Sequence, residues 1–206
     1  MKCDAKFKES VLGICLDALE SAGFRRYRKD AVDWPVGKDF NAWVGLNTGL
    51  YEDRVEIGPF VGVHAARIEK MWMGLLGRKY PGPYGRAATY SINIGEIDGA
   101  ADLPTFAFAP WQSKRFIESE AIRLAEIYQS IGLGFSKSIS SYESLLPLIS
   151  QKVTMLGGCP ERVACCIYIM GDMRGARQFV EGFLREEPDA FDAFARVFLK
   201  MLDDDI

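Results

Sequence analysis

The chain has 206 residues, 49% of them hydrophobic and 26% charged, which excludes a disordered chain and leaves room for one substantial core. Its formal net charge of −3 argues against a generally basic nucleic-acid-binding surface, and no run approaches the roughly 18 apolar residues of a membrane span. A single histidine, His64, removes most metal and acid–base constellations before any motif is sought.

Asp4, Glu9 and Asp17 cross the N-terminal stretch, so it lacks the apolar core of a signal peptide. Phe7, Val11, Ile14, Cys15, Ala18, Leu19 and Ala22 recur at three- and four-residue intervals and predict a helix over Ala5 to Ser21, stopped by Gly23. FRRYRK can then run as a strand, followed by polar turns around Asp30 and Trp34–Lys38. In FNAWVGLN, Phe40, Ala42, Val44 and Leu46 share one side of a strand, and Asn41, Trp43 and Asn47 the other. RVEIGPFVGVH alternates in the same way, but Pro59 argues for an edge strand or an interruption near Gly58. A short helix over Ala66 to Leu76, a loop in GRKYPGPYGR, a strand in ATYSINIG and a last short strand at Phe106 and Phe108 complete this region.

From Ser113 onward the period becomes helical. One long helix displays Ile117, Ala121, Leu124, Tyr128 and Ile131 and is expected to end near Gly132–Gly134. Ser140 with Glu143 has the form of a capping box for the next helix. Pro160 opens a nearly all-apolar helix through ERVACCIYIM, Asp172 caps another, and Pro188 opens the last, whose Asp203–Asp204–Asp205 end is expected to fray against the helix dipole. These patterns predict a single α+β domain spanning residues 1–206. A four- or five-stranded, mainly antiparallel sheet lies in residues 5–110, packed against helices, with a helical C-terminal region over 113–202.

Chemistry is sparse. His64 has no nucleophile signature beside it, and a catalytic use needs acidic residues brought from elsewhere, such as Glu96 or Asp98. Those two more readily form a turn between Gly95 and Gly99. GLLGRKYPGPYGR carries Lys79 and Arg86 but neither a P-loop nor a dinucleotide fingerprint, so no cofactor is called for. Five cysteines, an odd number without CxxC spacing, fit reduced thiols in the cytoplasm and no metal. The best positive feature is Arg25, Arg26, Arg28 and Lys29 around Tyr27, although strand alternation would split it between two faces. Trp34, Trp43, Trp72 and Trp111 suit core or interface anchors better than an RNA-stacking platform.

LESAGFRRYRKDAVDW, followed by FNAWVGLN and RVEIGPFVGVH, resembles the opening of the uncharacterised DUF4304-like domains over about residues 5–110. There an initial helix leads through an AGF-type junction into a mixed, mostly antiparallel sheet. MLGGCPERVACCIYIMGD is similar to a segment of bacterial hypothetical proteins with a helical C-terminus. Related small bacterial domains look like immunity proteins of toxin systems, which implies sequestration of a protein partner and carries no catalytic residues over. The expectation is therefore non-enzymatic recognition of a protein, with Arg25, Tyr27, Arg28, Trp43, His64 and Tyr84 as binding candidates. A small-molecule hydrolase centred on His64 and a weak nucleic-acid-binding module are the alternatives. Oligomeric state is left open.

Overall fold

The structure is a computed structural model that describes residues 3–81, 87–97, 105–153 and 158–204. It is an α+β fold in which one antiparallel sheet is packed against helices and the C-terminal region is helical. Helix α1 (Ala5–Ser21) starts where Asp4 accepts a hydrogen bond from Phe7 N–H, a cap worth about 1 kcal/mol. It ends at Gly23, whose φ of 94° belongs to the left-handed region and whose Cα side is closed by the Trp34 ring.

The strands are β1 (Arg25–Arg26), β2 (Ala31–Pro35), β3 (Phe40–Leu50), β4 (Val55–Ala65), β5 (Tyr90–Asn93) and β6 (Phe106–Phe108). β2 stands where polar turns are expected: Arg28 N–H bonds Ala31 O, which closes a tight turn and frees Ala31 to Pro35 to pair with β3. FRRYRK is correspondingly a strand only at its first two arginines.

The sheet order is β1-β2-β3-β4-β5, with β6 also on β4. β5 pairs with Phe60–Val63 of β4 and β6 with Val55–Ile57, so two short strands lie end to end along one edge of β4. Pro59 falls in the gap between them. β4 is thus an interior strand rather than an edge, and its missing N–H sits where the ladder is interrupted.

Even-numbered residues of β3 and odd-numbered residues of β4 face the core, as the alternation predicts. Ala42, Val44, Leu46, Val55, Ile57 and Val61 pack under α1 and α3 (Lys114–Ile127). Phe40, Val63 and Tyr90 pack under the remaining helices. These are α2 (Ala66–Leu75), α5 (Tyr142–Gln151), α6 (Pro160–Ile169), α7 (Met173–Glu186) and α8 (Pro188–Asp204).

α3 does not end at the glycines. A π-helical turn, Tyr128–Gly132, carries it into α4 (Leu133–Ser138), with Gly132 seated closely against Val61 and Ile94. From this helix the Tyr128 hydroxyl donates to Gly45 O (3.0 Å) and the Ser136 hydroxyl to Gly62 O (2.9 Å). The cap of α5 is Ser141 with Ser144, one residue later than expected. Asp172 caps α7 as expected, by accepting from Gly175 N–H. α8 continues to Asp204, with Asp203 paired to Arg177, and Asp205 lies outside the described residues. Only the first half of the ERVACCIYIM helix is deeply buried: Val163 to Cys166 lie inside, whereas Met170 is exposed.

Candidate functional site

The other face of the sheet lies opposite the two apolar clusters through which the helices pack on it. Pairing register fixes what stands there: Arg25 beside Asp33, Asp33 beside Trp43, Trp43 beside Gly62, and Asn41 beside His64. Three of the predicted binding residues, Arg25, Trp43 and His64, therefore share this face. Arg28 joins them from the β1–β2 turn. Tyr27 is half-buried in that turn, where its N–H bonds Ala31 O. Tyr84 lies outside the described residues, as does Asp98.

Trp43 lies flat across Gly45: a Cβ there would stand 2.1 Å from the indole ring. Its ring and that of Phe60 wall a cavity of about 480 Å³ at the end of β2, together with Arg28, Asp30 and Asn47. The Trp43 Nε1–H is buried without a hydrogen-bond partner. An unmade bond of this kind costs about 1–3 kcal/mol. Phe60 was not singled out from the sequence, although it occupies the same strand face as His64 four positions further on.

The arginines do not form one basic patch. Arg25 Nε donates to the buried Asp33 carboxylate (2.9 Å) and its Nη2 to Asn41 Oδ1 (3.3 Å). Arg26 turns to the opposite side, to Asp17 and Glu20 of α1, and Arg28 lies 3.4 Å from Asp30. Alternation splits the cluster as expected, and each of these arginines meets a carboxylate.

His64 is 2% exposed. Its Nδ1 lies 2.7 Å from Ala87 O, and since a carbonyl can only accept, Nδ1 carries the proton. In the neutral ring Nε2 then accepts from the Tyr80 hydroxyl at 2.6 Å. Glu96, the expected acidic helper, is exposed and accepts from Asn93 N–H to cap a short 3-10 turn. The ring is thus enclosed, held at both nitrogens by Tyr80 and by Ala87 of the segment leading into β5.

A second polar centre had no local signal in the sequence. Glu69 of α2, 4% exposed, accepts from Thr89 Oγ1 (2.8 Å) and Trp72 Nε1 (2.9 Å), while Thr89 Oγ1 takes the Ala65 N–H (2.8 Å). Arg162 of α6 brings its Nε within 2.8 Å of Glu69 Oε1 as an ion pair without hydrogen-bond alignment, and its Nη2 donates to Oε2 at 3.2 Å. The residues come from four places in the chain, so no spacing announces them. They join the end of β4, α2, β5 and α6 rather than line an open site. Beside them, Lys152 Nζ donates to Ser91 O (2.6 Å) and Arg162 Nη1 to Thr89 O (3.4 Å), which blunts the outer edge of β5.

The cysteines are free thiols. Burial pushes Cys15, Cys159 and Cys166 up to about 12 and Cys165 higher still, the opposite of an activated nucleophile. Among the described residues no group of three His, Cys, Asp or Glu side chains could hold a metal ion, and no helix is long and apolar enough to cross a membrane. Trp111 is 73% exposed, not a core anchor, because it stands at the turn before α3 with nothing packed over it. No known protein family matches this chain, and no curated protein or solved structure does either.

Proposed function

We propose that this chain binds another protein without turnover, in the reducing cytoplasm of a bacterium, and acts by steric blocking or sequestration in the manner of an immunity protein. The observation that carries this reading is the sheet face opposite the two apolar clusters. There Trp43 and Phe60 wall an open cavity, Arg28 stands at its side, and Arg25 is fixed alongside by Asp33. Aromatic and arginine side chains held rigid around a recess are the usual anchors of a protein interface, ringed by polar groups such as Asn41 and Asn47.

A hydrolase centred on His64 has less behind it, because the ring is enclosed and both of its nitrogens are engaged. Nucleic-acid binding has less again, since Arg25, Arg26 and Arg28 each face a carboxylate. The test is affinity capture from the native cell followed by quantitative binding of the captured protein to wild type and to Trp43→Ala. A reproducible partner whose affinity falls at least about tenfold, roughly 1.4 kcal/mol, with the Ala variant is expected. No reproducible partner across growth conditions, or equal binding by the variant, overturns the reading.

A further inference from the structure

β2 ends before β3 does. Ala31 is the last residue of β2 in register, opposite Gly45, and Asp30 O takes the Leu46 N–H. Beyond that point β3 runs on to Leu50 with β4 on one side only. Even-numbered residues of β3 point their backbone groups to this side, as Leu46 N–H to Asp30 and Thr48 O to Lys8 Nζ (3.2 Å) both show. Thr48 N–H and the N–H and C=O of Leu50 are therefore presented outward, on an edge capped only by the Lys8 side chain. Leu50 and Tyr51 are 44% and 47% exposed there.

We propose that this edge pairs with the same edge of a second copy of the chain, antiparallel, about a two-fold axis at Gly49. The parity of the edge selects the register. Thr48 of one copy and Leu50 of the other form a hydrogen-bonded pair, the reverse pair repeats it, and Gly49 faces Gly49 at the non-bonded position where Cα atoms come within about 4.5 Å. Positions before Asn47 are closed to this pairing by Asp30. Opposed residues share a sheet face, so Tyr51 of each copy falls beside Asn47 of the other, on the face that holds Trp43 and Phe60. Its ring already leans over Gly49 on that face. It thereby reaches the mouth of the 480 Å³ cavity.

Charge matches as well as shape. The exposed acidic turn that follows, Glu52 and Asp53, comes to the side of the other copy where Arg28 lines the cavity and where Lys8 is released from Thr48 O. Because one patch supplies knob and recess, acid and base, the contact closes as a dimer and does not propagate. Its short ladder places it among small, transient interfaces, below about 1,200 Å². This inference does not rest on the partner reading. It does make the two occupants exclusive, since both use the mouth of one cavity.

The experiment needs only the purified full-length chain: sedimentation velocity over rising concentration, with amide exchange at low and high concentration. A monomer–dimer equilibrium is expected, with Thr48 and Leu50 amides gaining protection as dimer forms. Tyr51→Ala and Arg28→Glu, both at exposed positions, each weaken dimerisation at least about tenfold. Glu52→Lys alone does the same, and an equimolar mixture with Arg28→Glu restores association through the swapped charge pair. Circular dichroism and melting of each variant confirm its fold. A monomer at every concentration, or a dimer indifferent to these variants whose protection lies elsewhere, overturns the proposal.

Discussion

A Cβ placed on Gly62 would stand 1.8 Å from the carbonyl oxygen of Tyr90, a backbone atom of the neighbouring strand. The glycine is required there by proximity, not by its backbone angles, because the β4–β5 ladder passes directly over it. Gly62→Ala is expected to force β5 away from β4 and cost at least about 1–3 kcal/mol in urea unfolding. Gly58→Ala is the control. Its nearest neighbour would lie at 3.7 Å, an ordinary contact, and the midpoint should move little. Equal effects of the two substitutions would count against the β4–β5 pairing.

The Glu69–Arg162 pair gives a second prediction. Glu69→Ala leaves a largely buried guanidinium without its carboxylate and is expected to cost about 3–5 kcal/mol. Replacing both partners, as in Glu69→Leu with Arg162→Met, removes the stranded charge and should recover much of the loss. A double variant no more stable than the single one would show that the pair is not coupled.

The buried thiols set a pH dependence. Each has a folded-state pKa raised by burial, so the unfolded chain loses its protons first as pH rises. Their contribution to stability is complete below the unfolded value of about 8.5 and declines as pH climbs toward about 12, where Cys15, Cys159 and Cys166 titrate in the fold. Tyr142, raised to about 12 chiefly by burial and then by the nearby Asp39 carboxylate, acts in the same direction above the ordinary tyrosine range. The urea midpoint is expected to fall between pH 8 and pH 10.5, roughly the span over which unfolded thiols ionise. Iodoacetamide at pH 8 should label Cys15 and Cys166 slowly in the native chain and rapidly in urea. Fast native labelling at Cys15 would refute its burial.

Two hydroxyls hold the central helix to strand carbonyls. Tyr128→Phe and Ser136→Ala each leave a buried carbonyl, Gly45 O or Gly62 O, without that donor. Each is expected to cost about 1–3 kcal/mol in chemical denaturation. No change in either variant would mean that water replaces the donor.

The strands β3 and β4 were legible because their alternation is strict, and so was the face on which Trp43 stands. β2 was not, because polar turns were read around Asp30 and from Trp34 on, which left no room for a strand over Ala31–Pro35. Asp33 is a strand residue only by virtue of Arg25 and the sheet around it. Pro59 misled for a related reason: a single chain cannot show that two short strands will leave a gap opposite it. The candidate site was partly legible, since Arg25, Arg28 and Trp43 do gather at one face and its cavity. Phe60 entered only when register placed it beside them, and the Glu69–Arg162 link, joining residues 93 apart, has no periodic trace at all.

The π-turn has a geometric consequence. Tyr128 and Ser136 are eight positions apart, which on an unbroken α-helix would put them about 80° out of phase. The wider turn absorbs roughly one residue, so the two behave as if seven apart, about 20° from alignment, and both hydroxyls meet the same sheet. The extra residue works as a phase shifter between two otherwise ordinary helical stretches. Deleting one position within 129–131 would let the π-turn revert to an ordinary helical turn with Tyr128 and Ser136 truly seven apart, so both hydroxyls would keep their carbonyls. Inserting one there would instead rotate everything after it by about a quarter turn and carry Ser136 off Gly62.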